Sequence, residues 1–320
     1  MKRGLSLSDR RHNYILLAEE AYINDNKEKA VEFYNKALQF GGNIVEDIAI
    51  LYNMAQIYDE MDMPQDAIKI YERIIDINPK EAGAYYGIAI MEERLNNKEK
   101  ALEYYHKAIE IDPNYDRAYY FAANLYDEMG DRDKALEYYK KVVELAPNDY
   151  IAYNNIGSLY EERGDLKNAL KYLNKSLEIE KNYYKTLFNL GVVYYGLGDR
   201  QKALEFYFKS KELNPYHEST YLNISAIFIE EKKYLDAINL LTEGIKYNPT
   251  AHDLYYNRAC CYSILGEKEK AIKDLNQALI LFPSIIKYIK ADKDFYNLYD
   301  QKEFIDMIND YENKINRKGD

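Results

Sequence analysis

The sequence predicts an all-α solenoid of about eight stacked helix–turn–helix repeats, closed by C-terminal capping helices. Three observations carry this. Pro79, Pro113, Pro147, Pro215, Pro249 and Pro283 recur at gaps of 34, except for one gap of 68 in which Lys181 fills the vacant slot. An alanine keeps the same beat at Ala67, Ala101, Ala135, Ala169, Ala203, Ala237 and Ala271. Within each period the apolar residues fall at helical spacing twice, separated by turn residues. Two residue types sharing one period over most of a chain is the signature of a repeat architecture.

Residues 116–149 show how one period is built. Tyr119, Ala122, Ala123 and Tyr126 occupy i, i+3, i+4 and i+7, one face of a helix. Gly130-Asp131 breaks that helix, glycine supplying the positive φ that a helix end often requires. Ala135, Tyr139 and Val142 then outline a second helix, which Pro147 stops, leaving Asn148 or Asp149 to cap the next. Each repeat is therefore helix A, a tight turn, helix B and a tight turn.

The repeats lie near 11–47, 48–81, 82–115, 116–149, 150–183, 184–217, 218–251 and 252–285. Ala30 precedes Ala67 by 37 residues, so the first repeat carries a three-residue insertion near Val45 to Asp47. Numbering each repeat from its first residue, position 8 is small (Ala18, Ala55, Ala89, Ala123, Gly157, Gly191, Ser225, Ala259). Position 24 is aromatic in Tyr34, Tyr71, Tyr105, Tyr139 and Tyr207. Small residues at positions 8 and 20 let the two helices approach, and the aromatics fill the space between neighbouring repeats. Residues 1–285 are read as the solenoid. In 286–320, Phe295, Leu298, Phe304, Ile305 and Ile308 suggest helices whose apolar side covers the last repeat, followed by a polar tail from Asn313 that should fray.

Composition narrows the function. The net charge of -11 disfavours nucleic-acid binding, which needs a basic stripe, and docking on anionic lipid. Adjacent Cys260 and Cys261 build no disulfide framework and no metal knuckle; they read as small buried thiols. No signal peptide and no apolar run long enough for a membrane span is visible, so a cytoplasmic location is expected. His12, His106, His217 and His252 fall at unrelated repeat positions without a plausible nucleophile, and Gly191, Gly196 and Gly198 follow no strand. No catalytic residue, metal site or cofactor is expected, and the chain does not read as an enzyme.

The columns of bulky aromatic, small residue, aromatic, alanine, aromatic and proline resemble the tetratricopeptide repeat (TPR) family over about residues 11–285. Local departures are Glu92 at position 11 of the third repeat, Leu173, Leu241 and Leu275 at position 24, and Arg258 in an apolar slot of the last. The resemblance implies a right-handed superhelix in which helix A lines a concave groove, with positions 2, 5, 6, 9, 12 and 13 tending to face it. Position 6 then presents Asn155, Asn189, Asn223 and Asn257 in four consecutive repeats. A carboxamide is both donor and acceptor, so such a ladder can pair with the backbone of an extended peptide. Position 5 supplies Tyr86, Tyr120, Phe188 and Tyr256 as side-chain anchors beside it. Four amide pairings at about 1 kcal/mol each reach half of the roughly 8 kcal/mol that micromolar binding needs, so the aromatics must supply the rest.

Two charge features bear on the partner. Asp59, Glu60, Glu93, Asp127, Glu128, Glu161 and Glu162 form an acidic rim that suits a basic segment, or serve as solvated helix ends. Asn124, Asn155 and Lys185 match three positions of the carboxylate clamp with which some relatives hold a chaperone's C-terminus, although Tyr120 and Asn189 stand where that clamp wants basic residues. The expected function is a protein-interaction scaffold holding a peptide or protein segment. The rival readings are a regulatory subunit of an enzyme or signalling complex, and an assembly factor acting through homo-oligomerisation.

Overall fold

A computed structural model of the chain describes residues 7–316. Sixteen helices form the eight repeats. Helix A is α1 (Leu7–Ile23), α3 (Ile44–Glu60), α5 (Ala82–Arg94), α7 (Asp116–Glu128), α9 (Tyr150–Glu162), α11 (Tyr184–Gly196), α13 (Glu218–Glu230) and α15 (His252–Ile264). Helix B is α2 (Lys27–Leu38), α4 (Pro64–Ile77), α6 (Lys98–Ile111), α8 (Arg132–Leu145), α10 (Leu166–Ile179), α12 (Arg200–Leu213), α14 (Tyr234–Tyr247) and α16 (Lys268–Leu281). No strand occurs among the described residues.

Position 15 explains the A-to-B turn. It takes a left-handed backbone in every repeat: at Gly130, Gly164, Gly198 and Gly266, at Asp25, Asp62 and Asn96, and at Lys232. Glycine adopts that region without strain and Asn or Asp tolerates it, whereas a lysine pays its Cβ clash in full. Lys232 has φ 57°. Lys232→Gly is expected to raise stability by about 0.5–1 kcal/mol, the relief of strain exceeding glycine's extra entropy loss; a higher urea midpoint at unchanged slope checks it. The next residue starts helix B, and Asn26, Asp131, Asp165 and Asp199 accept the N–H three residues on.

Every position-20 alanine from Ala30 to Ala271 is fully buried. Position 8 is held small by what leans on it. A Cβ at Gly191 would lie 2.5 Å from the Tyr207 ring, and one at Gly157 would lie 2.5 Å from Leu173 Cγ. The position-24 side chain thus rests on helix A of its own repeat.

Contacts divide the chain into two compact bodies, residues 1–152 and 153–320. In the first, the insertion lengthens α3 by four residues at its start, with Asn43 as its N-cap. Asp47, within that extension, receives a 2.6 Å hydrogen bond from the buried Arg11 guanidinium, and Glu46 lies 3.4 Å from it. The extra residues therefore supply the counter-charge for an arginine that α1 buries.

In the second body the cap is a 3-10 turn at Pro283–Ile285, α17 (Ile286–Ile289), a second 3-10 turn at Lys293–Leu298 and α18 (Lys302–Asn316). Ile289, Phe295, Leu298 and Phe304 pack with Ala271, Leu275 and Leu279 of the last repeat in one core. Two expectations are corrected here. Ile305 points outward at 44% exposure, and Met307 and Tyr311 fill the core with Ile308 instead, because α18 turns the i, i+3, i+4, i+7 face from Phe304 inward. The helix also runs past Asn313 to Asn316, beyond the buried Tyr311; residues 317–320 lie outside the described part.

Candidate functional site

In the N-terminal body the helix-A positions expected to face a groove line an open cavity of about 960 Å³. Its floor is α5, which carries glycine at positions 2 and 6. Gly83 and Gly87 leave bare backbone, and tyrosines from the preceding repeat lie on it. A Cβ at Gly83 would meet Tyr52 Oη at 2.5 Å, and one at Gly87 would meet Tyr71 Cζ at 2.4 Å. Tyr86 projects from position 5 with its ring edge-on to Tyr115 (5.2 Å) and Phe121 (5.9 Å). Burial pushes the Tyr86 phenol up to about 12, and burial with neighbouring Glu81 pushes the Tyr52 phenol up further, so both rings are neutral hydroxyls at physiological pH. Glu81 at the rim accepts from Tyr52 Oη (3.1 Å) and Asn78 Nδ2 (3.0 Å) and has no ion-pair partner among the described residues.

Tyr120 sits half-buried with its ring edge-on to Phe121 and Tyr139, and lines a smaller cavity of about 270 Å³. Asn124 is half-buried, and its carboxamide oxygen accepts from Tyr139 Oη. That acceptor is committed to the fold.

The asparagines share a repeat position but not an environment. Tyr34 and Tyr207 are buried at position 24, and the next repeat's position-6 asparagine donates to each hydroxyl: Asn53 to Tyr34 (3.3 Å) and Asn223 to Tyr207 (3.1 Å). Asn189 follows a repeat whose position 24 is Leu173, which offers no hydroxyl. It donates instead to Asn154 Oδ1 (3.0 Å), the hub of a network including Thr186 and Ser176. Asn154 also donates to Asn155 Oδ1 (3.2 Å). Asn257 follows Leu241 and makes no hydrogen bond among the described residues. Each of the four carboxamides is half-buried, and the ladder grades from Asn223, tied to a core hydroxyl, to Asn257, with its full donor and acceptor set.

Of the remaining residues, Phe188 stands edge-on to His217 (4.6 Å) and against Tyr207. Tyr256 donates to Asp292 of the cap, with its ring edge-on to Phe295. Lys185 is exposed.

The acidic rim divides the same way. Position 13 of one repeat meets a cation at position 17 of the repeat before it: Lys27–Glu60 (3.4 Å), Lys98–Glu128 (2.9 Å) and Arg200–Glu230 (2.9 Å). Asp59 pairs with Arg94. Glu93 accepts from Tyr105 Oη, and burial pushes its carboxyl up. The position-13 carboxylates and Asp59 join repeats to each other, a role visible in the sequence as opposite charges 30 to 35 residues apart, whereas Glu93 bonds within its own repeat.

Two of the histidines serve packing. His106 bonds Tyr126 Oη (3.0 Å) and His217 bonds Thr220 Oγ1 (2.7 Å), and burial holds both imidazoles below the usual range. Cys260 and Cys261 are buried, free thiols pushed up by desolvation. Cys260, Asp292 and Asp294 offer ligand atoms within 4.8 Å of one another. Asp292 is already engaged there, accepting from Tyr256 and capping the 3-10 turn at Asp294 N–H. No described helix is long and apolar enough to cross a membrane.

The geometry defines a helical-repeat protein whose distinctive surfaces are faces and cavities built from repeated positions. Models of the tetratricopeptide repeat match residues 52–116, 96–157, 149–214 and 252–285, well over half of the chain, which belongs to that family. Among curated proteins it is similar to Hsp70-Hsp90 organizing protein 2 of Arabidopsis thaliana, 41% identical over 58 residues, 18% of this chain and 10% of that one. It is also similar to TPR repeat-containing protein YsoA of Bacillus subtilis (strain 168), 44% identical over 43 residues, 13% of each. The match thus spans about a tenth of the organizing protein's length. Among solved structures, PilF of Pseudomonas aeruginosa aligns at 21% identity and TM-score 0.56, covering 66% of this chain and 96% of that one. The APC/C hetero-tetramer Cut9-Hcn1 aligns at 18% and 0.55, covering 94% and 59%. YrrB, described as a TPR protein with an unusual peptide-binding site, aligns at 24% and 0.50, covering 58% and 95%. These likenesses are of fold.

Proposed function

We propose that this chain is a protein-interaction scaffold that holds an extended polypeptide segment on its helix-A faces. The observation that carries the reading is the cavity on α5. Positions 2, 5, 6 and 9 of the third repeat (Gly83, Tyr86, Gly87 and Ile90) all line this open cavity. Aromatic side chains with few rotatable bonds give contact area at small entropic cost, which suits them as anchors. Tyr86, Tyr120 and Phe188 would take side chains. Asn257, and the unshared amide atoms of Asn155 and Asn189, would pair with peptide backbone; Asn223 would contribute its oxygen and its second N–H. Tyr256 serves the cap first. Asn124 and Lys185 contribute less, since the Asn124 oxygen is occupied.

Selecting a random peptide library on the full chain tests this. Binders are expected to lose affinity about tenfold or more on Tyr86→Ala or Phe188→Ala, with far-ultraviolet circular dichroism unchanged, as for a truncated anchor residue. Binders indifferent to both substitutions would move the interaction to another surface.

A further inference from the structure

We infer that the α5 cavity is a pocket for a cationic side chain, an arginine of the bound segment. This deepens the peptide-holding reading and rests on it. Three features of the pocket converge. First, its walls are aromatic faces and edges: Tyr52 and Tyr71 from the second repeat, Tyr86 and Tyr115 from the third, and Phe121 from the fourth. A cation over such rings is attracted to their negative faces, most strongly where water is displaced. Second, those rings stand where they do because Gly83 and Gly87 remove the side chains that would occupy the space. Where the neighbouring second repeat carries Asn53 at position 6, this one carries no side chain.

Third, the charge at the rim is negative and in part uncommitted. Asp59, Glu81 and Asp112 line the cavity against a single lining cation, the exposed Lys80. Asp59 is neutralised by Arg94, and among the described residues the Asp112 side chain accepts only the backbone N–H of Asn114. Glu81 accepts from two neutral donors and from no cation. A carboxylate retains acceptor capacity after one hydrogen bond to each oxygen, so Glu81 can receive a further charge-assisted bond without giving up Tyr52 or Asn78. Arginine suits this surrounding better than lysine. Its planar guanidinium is more weakly hydrated, stacks on aromatic faces, and offers donors in its plane toward the carboxylate at the edge.

The volume agrees with a side chain entering along with adjoining backbone. About 960 Å³ of open cavity exceeds what one guanidinium fills, leaving the Ile90 and Met91 side for the aliphatic stem and its neighbours. The acidic position-13 residues are not needed for this, being engaged between repeats.

The test uses peptides selected from a random phage-displayed library on the full chain, then synthesised and titrated by fluorescence anisotropy. Enrichment of arginine at one fixed place is expected. Replacing it with citrulline, which keeps shape and loses charge, should weaken binding to the parent about tenfold, as for a charge-assisted hydrogen bond. Glu81→Gln should weaken the arginine peptide by about as much, and citrulline should then cost little more, the coupling that a direct contact gives. Tyr86→Leu, which keeps an apolar side chain and removes the aromatic face, should also narrow the arginine–citrulline difference. If enriched peptides carry no cation, or if citrulline costs the same in the parent and in both variants, the pocket assignment falls while peptide holding stands. If no peptide is enriched on the parent, both fall.

Discussion

Asp274→Ala is expected to destabilise the C-terminal body by about 3–5 kcal/mol, the cost of leaving a buried charge without its partner. Arg258 occupies a slot that is apolar in other repeats. Its guanidinium meets Asp274 in a fork, Nε to Oδ2 at 2.7 Å and Nη2 to Oδ1 at 2.8 Å, and donates to Thr242 Oγ1 at 2.9 Å. The Tyr255 and Tyr262 rings lie 5.8 and 5.9 Å from its central carbon. The two charged side chains are only 15% and 7% exposed, so water cannot replace the carboxylate. Thr242 and two rings leave the guanidinium short of a counter-charge. Repeat arrays unfold in segments, so amide exchange of α15 and α16 reads the loss more directly than a global midpoint. The double replacement Arg258→Met with Asp274→Leu should recover most of it, since an apolar pair of similar volume replaces a buried ion pair at little cost. A loss below about 1 kcal/mol for Asp274→Ala would mean that water reaches the guanidinium.

Asn223→Ala is expected to cost about 1–3 kcal/mol, and Asn257→Ala less than about 0.5 kcal/mol, although both occupy position 6. Asn223 donates to Tyr207 Oη, and Tyr207 is 2% exposed. Truncation strands a phenol in the core, where an unmade hydrogen bond costs more than a made one contributes. Asn257 has the Leu241 side chain in the corresponding place, so nothing is stranded. Urea denaturation of the two variants decides it, and Tyr207→Phe in the Asn223→Ala background should return part of the loss. Equal costs would mean that the phenol is not what distinguishes the sites. Asn257→Ala is consequently the cleaner probe of peptide backbone pairing, because its effect on binding is not mixed with an effect on folding.

The individual fates of the asparagines follow a rule that the sequence contains. Where position 24 is tyrosine and position 6 of the next repeat is asparagine, the two can pair, as Tyr34 with Asn53 and Tyr207 with Asn223, although Tyr139 bonds Asn124 of its own repeat. A leucine there offers no hydroxyl, as at Leu173 before Asn189 and Leu241 before Asn257. Reading position 6 as a column by itself conceals this. The α5 cavity has a comparable signal in Gly83 and Gly87, and the Arg258–Asp274 pair in two charges 16 residues apart within one repeat. Each needs two positions read jointly. The extra helical turn on α3 announces itself only as a break in the period. Its purpose depends on Arg11, 36 residues away from Asp47.

The sequence by itself determined the repeat: its length, the two helices, the left-handed turn residue, the small positions and the presence of a cap. It could do so because every repeat meets chiefly its neighbours, so a period along the chain is also a period in space. Only the tertiary structure decided which polar groups remain available. A hydroxyl, amide or carboxylate in a helical face reads the same whether it bonds the next repeat or faces open space. The choice is made by side chains that arrive from other helices, whose distances and burial no single column records.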